Sequence, residues 1–222
     1  MFKELFAAEW LLNFDASIYT AVEKLWSSVM DSIMIFITHL GDEGILWIAL
    51  GVILCIFKKT RKMGIAALLG LALVSGMNNL VLKPLFERIR PYDPDMMPLW
   101  ESIGFTYKFP FDTSLQPSID HATHYSYSFP SGHTASSIGA AVAMFCVNKK
   151  AGIAPVIVAI LISFSRIYLH VHFPSDVIVS AILAAIFGVC VYLIVFKALG
   201  KPLDALNNKL NGKLFDTPCV KK

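Results

Sequence analysis

Long apolar blocks alternate with short charged turns along this chain. A membrane span needs about 20 apolar residues, and five blocks approach or reach that length. They are residues 42–57, 63–82, 131–148, 152–169 and 176–196. The pattern predicts an all-α polytopic membrane helix bundle of five or six transmembrane helices. Residues 16–38 alternate differently. They are amphipathic and carry Glu23, Lys24 and Asp31, which predicts an N-terminal interfacial helix in preference to a sixth span. The expected organisation is an N-terminal amphipathic segment over 1–40, a membrane-embedded unit over 41–197 and a basic tail over 198–222. The third block opens with His133, Thr134, Ser136 and Ser137. Such an end needs protein or water around it, so a polar cavity recessed into one face is expected.

The charges between blocks orient the bundle. Lys58, Lys59, Arg61 and Lys62 separate the first two blocks, Lys149 and Lys150 separate the third and fourth, and six lysines follow from Lys197 onward. The positive-inside rule places these three regions in the cytoplasm. Residues 82–129 and 170–175 then face outward, as does the turn at Asp42 and Glu43. The opening residues carry Glu4 and Glu9 and show no signal-peptide pattern, so insertion by an uncleaved span is expected.

Composition agrees. Hydrophobic residues make up 56% of the 222 residues and charged residues 16%, against about 25% charged in soluble domains. That excludes a disordered polar chain and argues against a water-soluble globule. The net charge of +3 sits largely in the short clusters, which makes nucleic acid a poor partner. Cys55, Cys146, Cys190 and Cys219 form no CxxC or CxxH pattern, so packing residues are expected in preference to a disulfide or a zinc site.

Residues 92–129 form the one extended non-apolar stretch. It holds nine aromatics and a net charge of −4, which predicts a packed lid over the outer face. His121 and His124 lie within it without an obvious third metal ligand.

Three outward-facing segments carry charges that the positive-inside rule leaves unexplained, and such residues are candidates for function. In the first, Lys83 and Arg90 stand seven residues apart, so both can share one helical face as an anion site. The competing reading is a basic residue snorkelling at a span end, and it is preferred for Arg88. In the second, Pro130-Ser131-Gly132-His133 opens a helix whose free amides can hold an anion. His133 is placed there to protonate a leaving oxygen. In the third, Arg166 is costly in an apolar run unless it meets an anion. His172 and Asp176 can meet around Pro174, so that the carboxylate sets the tautomer and leaves the other ring nitrogen nucleophilic. Cations, histidines, a carboxylate and a helix N-terminus on one face suit phosphoryl transfer, where charge stabilisation dominates. No carboxylate cluster suggests a magnesium site, so the cations would take its place. His170, His39, Asn78 and Asn79 are expected to be structural or interfacial.

These segments resemble the type 2 phosphatidic acid phosphatase superfamily of integral membrane lipid phosphatases. Its three signature parts are Lys-x6-Arg-Pro, Pro-Ser-Gly-His and Ser-Arg-x5-His-x3-Asp. They correspond here to Lys83…Arg90-Pro91, Pro130-Ser131-Gly132-His133 and Ser165-Arg166…His172…Asp176. The resemblance covers roughly residues 35–196. It implies that His172 attacks phosphorus to form a phosphohistidine, that Asp176 orients His172, and that His133 protonates the leaving oxygen. It further implies that Lys83, Arg90, Ser131, the Gly132 amide and Arg166 hold the phosphate, with no metal and no cofactor. The implied substrate is a lipid phosphate or pyrophosphate, with undecaprenyl pyrophosphate favoured. Phosphatidylglycerophosphate or phosphatidic acid is the alternative, followed by a lipid phosphotransferase and a membrane protein that binds or transports without turnover. A neutral His172 paired with a protonated His133 implies a bell-shaped pH profile. Oligomeric state is not encoded in these patterns.

Overall fold

The computed structural model describes residues 2–57, 59–110 and 127–198, and these contain no β-strand. Among the described residues ten α-helices follow in order: α1 (Phe2–Phe6), α2 (Glu9–Glu23), α3 (Ser28–His39), α4 (Ile45–Ile56), α5 (Arg61–Met77), α6 (Lys83–Phe86), α7 (Met97–Ser102), α8 (Gly132–Val147), α9 (Lys149–Tyr168) and α10 (Pro174–Tyr192). A π-helical turn at Asn78–Leu82 joins α5 to α6, so that Arg61–Phe86 runs as one long apolar unit.

Helix α8 is the centre of the bundle, packed on α5, α9 and α10. Nearly every side chain from Thr134 to Met144 is buried. Its small residues make this possible, because without a strong hydrophobic drive between helices in lipid, close backbone approach supplies the packing. A methyl group on Gly70 of α5 would lie 2.8 Å from the Gly139 carbonyl oxygen, and one on Gly188 of α10 would lie 2.9 Å from the same oxygen. Three glycines thus bring three helices together around one level of the core. Trp47 of α4 reaches in and donates to Ser137 Oγ at 2.9 Å.

Among the described residues, three helices are long and apolar enough to cross a membrane: Arg61–Phe86, Lys149–Tyr168 and Pro174–Tyr192. The pair Ser28–His39 and Asp42–Ile56 passes as a fourth when its 45° bend is allowed. Outward-facing Ile48, Val52, Ile157, Ile160, Ile182 and Ile186 give the bundle an apolar flank. The chain is a multi-pass membrane protein.

The N-terminal region departs from the expected single helix over 16–38. Ser27 Oγ accepts from the Met30 amide and starts a new helix there, so two helices, α2 and α3, meet at residues 24–27. An N-cap serine outcompetes helix continuation, because its hydroxyl satisfies an amide that the previous helix cannot. The buried face of α2 is Leu12, Asp15, Ala16, Tyr19 and Val22. It packs with Met96, Trp100, Phe105, Tyr107 and Phe173 in a mainly aromatic cluster. The described half of the aromatic stretch, up to Pro110, is therefore packed against the protein. His121, His124 and the acidic Asp112 and Asp120 lie outside the described residues, as does the tail from residue 199.

Candidate active site

The connection between α9 and α10 carries the central histidine. His170, at φ +55°, turns the chain out of α9, and His172 is 2% exposed. The His172 carbonyl accepts from Tyr19 Oη of α2 at 2.8 Å. Asp176 sits in the first turn of α10, fully buried. Its Oδ2 lies 3.8 Å from His172 Nδ1, beyond hydrogen-bond range. Ser128 bridges the gap: its Oγ donates to Asp176 Oδ2 at 2.5 Å and stands 3.4 Å from His172 Nδ1. Nδ1 is thereby turned to Ser128 and Asp176. Burial, together with Arg90, Arg166 and Lys83, holds His172 well below the ordinary histidine pKa. The ring is neutral at pH 7.

Arg88 corrects the sequence expectation. It does not snorkel but is 3% exposed. Its Nη1 donates to Asp176 Oδ1 at 2.5 Å and to Ser175 Oγ at 2.8 Å, and its Nη2 donates to Asp15 Oδ2 at 3.0 Å. The guanidinium also lies over the Phe173 ring, 3.6 Å from its centroid. A cation enclosed by protein needs carboxylates around it, since no water compensates its lost hydration. Two are present, so the enclosed site is better than the interface.

His133 is the second residue of α8, with its side chain 21% exposed. Its Nε2 pairs with Asp42 Oδ1 at 2.9 Å, and Asp42 Oδ2 pairs with His39 Nδ1 at 2.7 Å. Asp42 lies in the corner between α3 and α4. The corner approaches closely because Gly41 has no side chain: a methyl there would meet His133 Cδ2 at 2.7 Å. Ser131 is the N-cap residue of α8, but its side chain makes no capping bond. Its amide donates to Ser180 Oγ at 2.7 Å, and its hydroxyl accepts from Thr134 at 3.1 Å. Beside Gly132 there is room, with Asn78 Nδ2 4.0 Å from where a Cβ would stand.

The cations close the site. Arg166, 2% exposed, donates from Nη1 to Thr38 Oγ1 at 2.7 Å. Arg90 donates to the Val171 carbonyl at 3.2 Å. Lys83 begins α6 and is half-buried. Lys83, Arg90, Arg166 and His133 all lie near enough to act electrostatically on His172. The fold therefore gathers the three predicted segments at one end of the bundle. A neutral imidazole, a ring of cations and a helix N-terminus are the means to bind a phosphate and attack it.

The PAP2 superfamily profile matches residues 63–199. The chain belongs to the PAP2 superfamily. It is 31% identical to the undecaprenyl-diphosphatase BcrC of Bacillus subtilis, over 86% of this chain and 91% of that one. It is 28% identical to an undecaprenyl-diphosphatase of Sulfolobus acidocaldarius, over 83% and 80% of the two chains. Among solved structures it resembles a transmembrane PAP2-type phosphatidylglycerolphosphate phosphatase from Bacillus subtilis. The TM-score there is 0.62, with 22% identity over 88% of this chain and 91% of that one. That likeness is one of fold.

The PAP2 motifs were visible in the sequence, while four of their supports were not. Asp15, Asp42, Arg88 and Ser128 hold Asp176 or His133 directly or through a neighbour. Arg88 and Ser128 flank motif residues closely, which is the one local signal they carry. His170 Nδ1 donates to the Lys108 carbonyl at 2.9 Å and its ring packs on Tyr19. Burial holds its pKa down to about 4.

Proposed function

We propose that this PAP2-superfamily phosphatase hydrolyses a lipid pyrophosphate, undecaprenyl pyrophosphate first among them, through a phosphohistidine on His172. The observation that carries the proposal is a buried, neutral His172 whose Nδ1 side is held by Ser128 and Asp176 while cations surround it. His172 Nε2 attacks the terminal phosphorus. The bond from phosphorus to the bridging oxygen breaks, and His133 gives that oxygen its proton. The lipid monophosphate leaves. Water then attacks the phosphohistidine, its proton returns to His133, and orthophosphate departs. Lys83, Arg90, Arg166 and the Gly132 end of α8 carry the equatorial charge. Asp42 holds the His133 ring and places negative charge beside it, which favours the protonated form that this step requires.

The substrate choice draws on the two relatives named undecaprenyl-diphosphatase, which align over most of their length. The basic turns lie at the helix ends opposite the site, so the positive-inside rule directs the site to the outer face of the plasma membrane. The organisation proposed is an N-terminal segment over 1–40, a membrane-embedded unit over 41–197 and a basic tail over 198–222, and α2 of the first packs against Phe173, next to His172.

The test is phosphate release by detergent-purified protein in EDTA. Undecaprenyl pyrophosphate, phosphatidylglycerophosphate and phosphatidic acid are compared, with His172→Ala as control. Release that survives EDTA, is highest for the pyrophosphate and is absent in His172→Ala is expected. Full activity in His172→Ala would overturn the mechanism, and preference for phosphatidylglycerophosphate would overturn the substrate.

A further inference from the structure

The N-terminal helix α2 contributes more than packing to the catalytic end of the bundle. Asp15 and Tyr19 stand one turn apart on its buried face, so both point the same way. Tyr19 Oη holds the His172 carbonyl at 2.8 Å. Asp15 is fully buried, and each of its oxygens is used. Oδ1 accepts from the Ser175 amide at 2.7 Å. Oδ2 accepts from Ser175 Oγ at 2.8 Å and from Arg88 Nη2 at 3.0 Å. Through Arg88 and Ser175, Asp15 is connected to Asp176, whose other oxygen faces Ser128 and His172.

From this geometry we propose that Asp15 is a positioning residue for the phosphatase reaction, acting on His172 through Arg88 and Asp176. The reason is a balance of charge. When His172 takes up a phosphoryl group, its ring becomes cationic and needs the negative charge of Asp176. Arg88, bonded to Asp176 at 2.5 Å, would by itself cancel that charge. Asp15 supplies a second carboxylate on the far side of the guanidinium. The buried cluster Asp15–Arg88–Asp176 then carries one net negative charge, facing His172. Burial raises the Asp15 pKa to about 6 while Arg88 pulls it down, so Asp15 is ionised at pH 7. Ser175 fixes the arrangement, since its amide and hydroxyl both bond Asp15 while the hydroxyl accepts from Arg88. Asp15 lies far outside residues 63–199, so it is not a residue of the PAP2 match.

The inference rests on the phosphohistidine reading above, which His172→Ala tests separately. Asp15→Asn keeps the shape and removes the charge. It is expected to lower kcat roughly tenfold, the scale of one charge-assisted hydrogen bond, with KM within about twofold because the phosphate ligands are untouched. The decisive measurement is a double-mutant cycle with Asp176→Asn in detergent-purified protein, with thermal unfolding followed in parallel. If Asp15 acts through Asp176, the double variant is no slower than Asp176→Asn alone. Losses that multiply would overturn the inference, as would a kcat for Asp15→Asn equal to the parent's. Arg88→Lys gives a second reading that retains the buried cation but loses the two-carboxylate fork. A lower kcat at unchanged KM supports the inference, and an unchanged kcat overturns it. If His172→Ala remained active, the phosphohistidine reading would fail first, and that result would be distinguishable from either outcome at Asp15.

Discussion

Replacing Asp42 by Asn isolates the support behind the proposed acid. The change keeps size and hydrogen-bonding shape but removes the charge that lies 2.9 Å from His133 Nε2. A hydrogen bond to a charged group contributes about 1.5–3 kcal/mol, whereas an exposed ion pair contributes about 0.2–1 kcal/mol. The Asp42 side chain is 44% exposed and the His133 side chain 21%, so a loss of about 1–2 kcal/mol is expected. At about 1.4 kcal/mol per tenfold, that predicts a rate lower by roughly 5–30-fold. The loss should depend on the leaving group. An alkyl phosphate such as phosphatidic acid leaves as a strongly basic oxygen and needs the proton. An aryl phosphate such as p-nitrophenyl phosphate leaves as a weakly basic phenoxide and needs it much less. The assay is kcat on both substrates for the parent and Asp42→Asn. The full loss is expected on the alkyl substrate and less than about twofold on the aryl one. Equal losses on the two substrates would refute the assignment of His133 as acid and of Asp42 as its support.

Two further outcomes follow from the packing and from the site. In Gly188→Ala the new methyl would stand 2.9 Å from the Gly139 carbonyl oxygen, a backbone atom that cannot swing away. A loss of about 1–3 kcal/mol is expected, read as a lower Tm in detergent, whereas Gly76→Ala, with nothing within 4 Å, should not lower Tm. The second concerns pH. His172 must be neutral to attack, and burial with its neighbouring cations holds its pKa well below the usual value. The acid limb of kcat/KM, which reports the free enzyme, should therefore lie below the ordinary histidine value of about 6.5; a limb at or above that value would contradict a buried, neutral nucleophile.

The spans over 63–82, 152–169 and 176–196 could be read from the chain because apolar length is a local property. The structure returns them as helices at Arg61–Phe86, Lys149–Tyr168 and Pro174–Tyr192. The polar start of the third block was also interpretable. Thr134, Ser136 and Ser137 are buried inside the bundle, as the cost of polar groups in lipid requires. The N-terminal region was harder. The break at Ser27 is set by one capping hydroxyl, a weak signal within an otherwise continuous amphipathic pattern. Arg88 was misread for a different reason. Snorkelling and enclosure have the same local sequence, and they differ only in whether carboxylates wait inside.

By itself the sequence determined the helical bundle, the register of the three motifs and the residues proposed to hold a phosphate. Each depends on spacing within one segment. Tertiary structure decided how those residues are charged and held. Asp42 reaches His133 across 91 residues, Arg88 reaches Asp176 across 88, Asp15 reaches Arg88 across 73 and Ser128 reaches Asp176 across 48. The worth of each such contact is set by the removal of water around both partners. That desolvation exists only once the distant segments have packed.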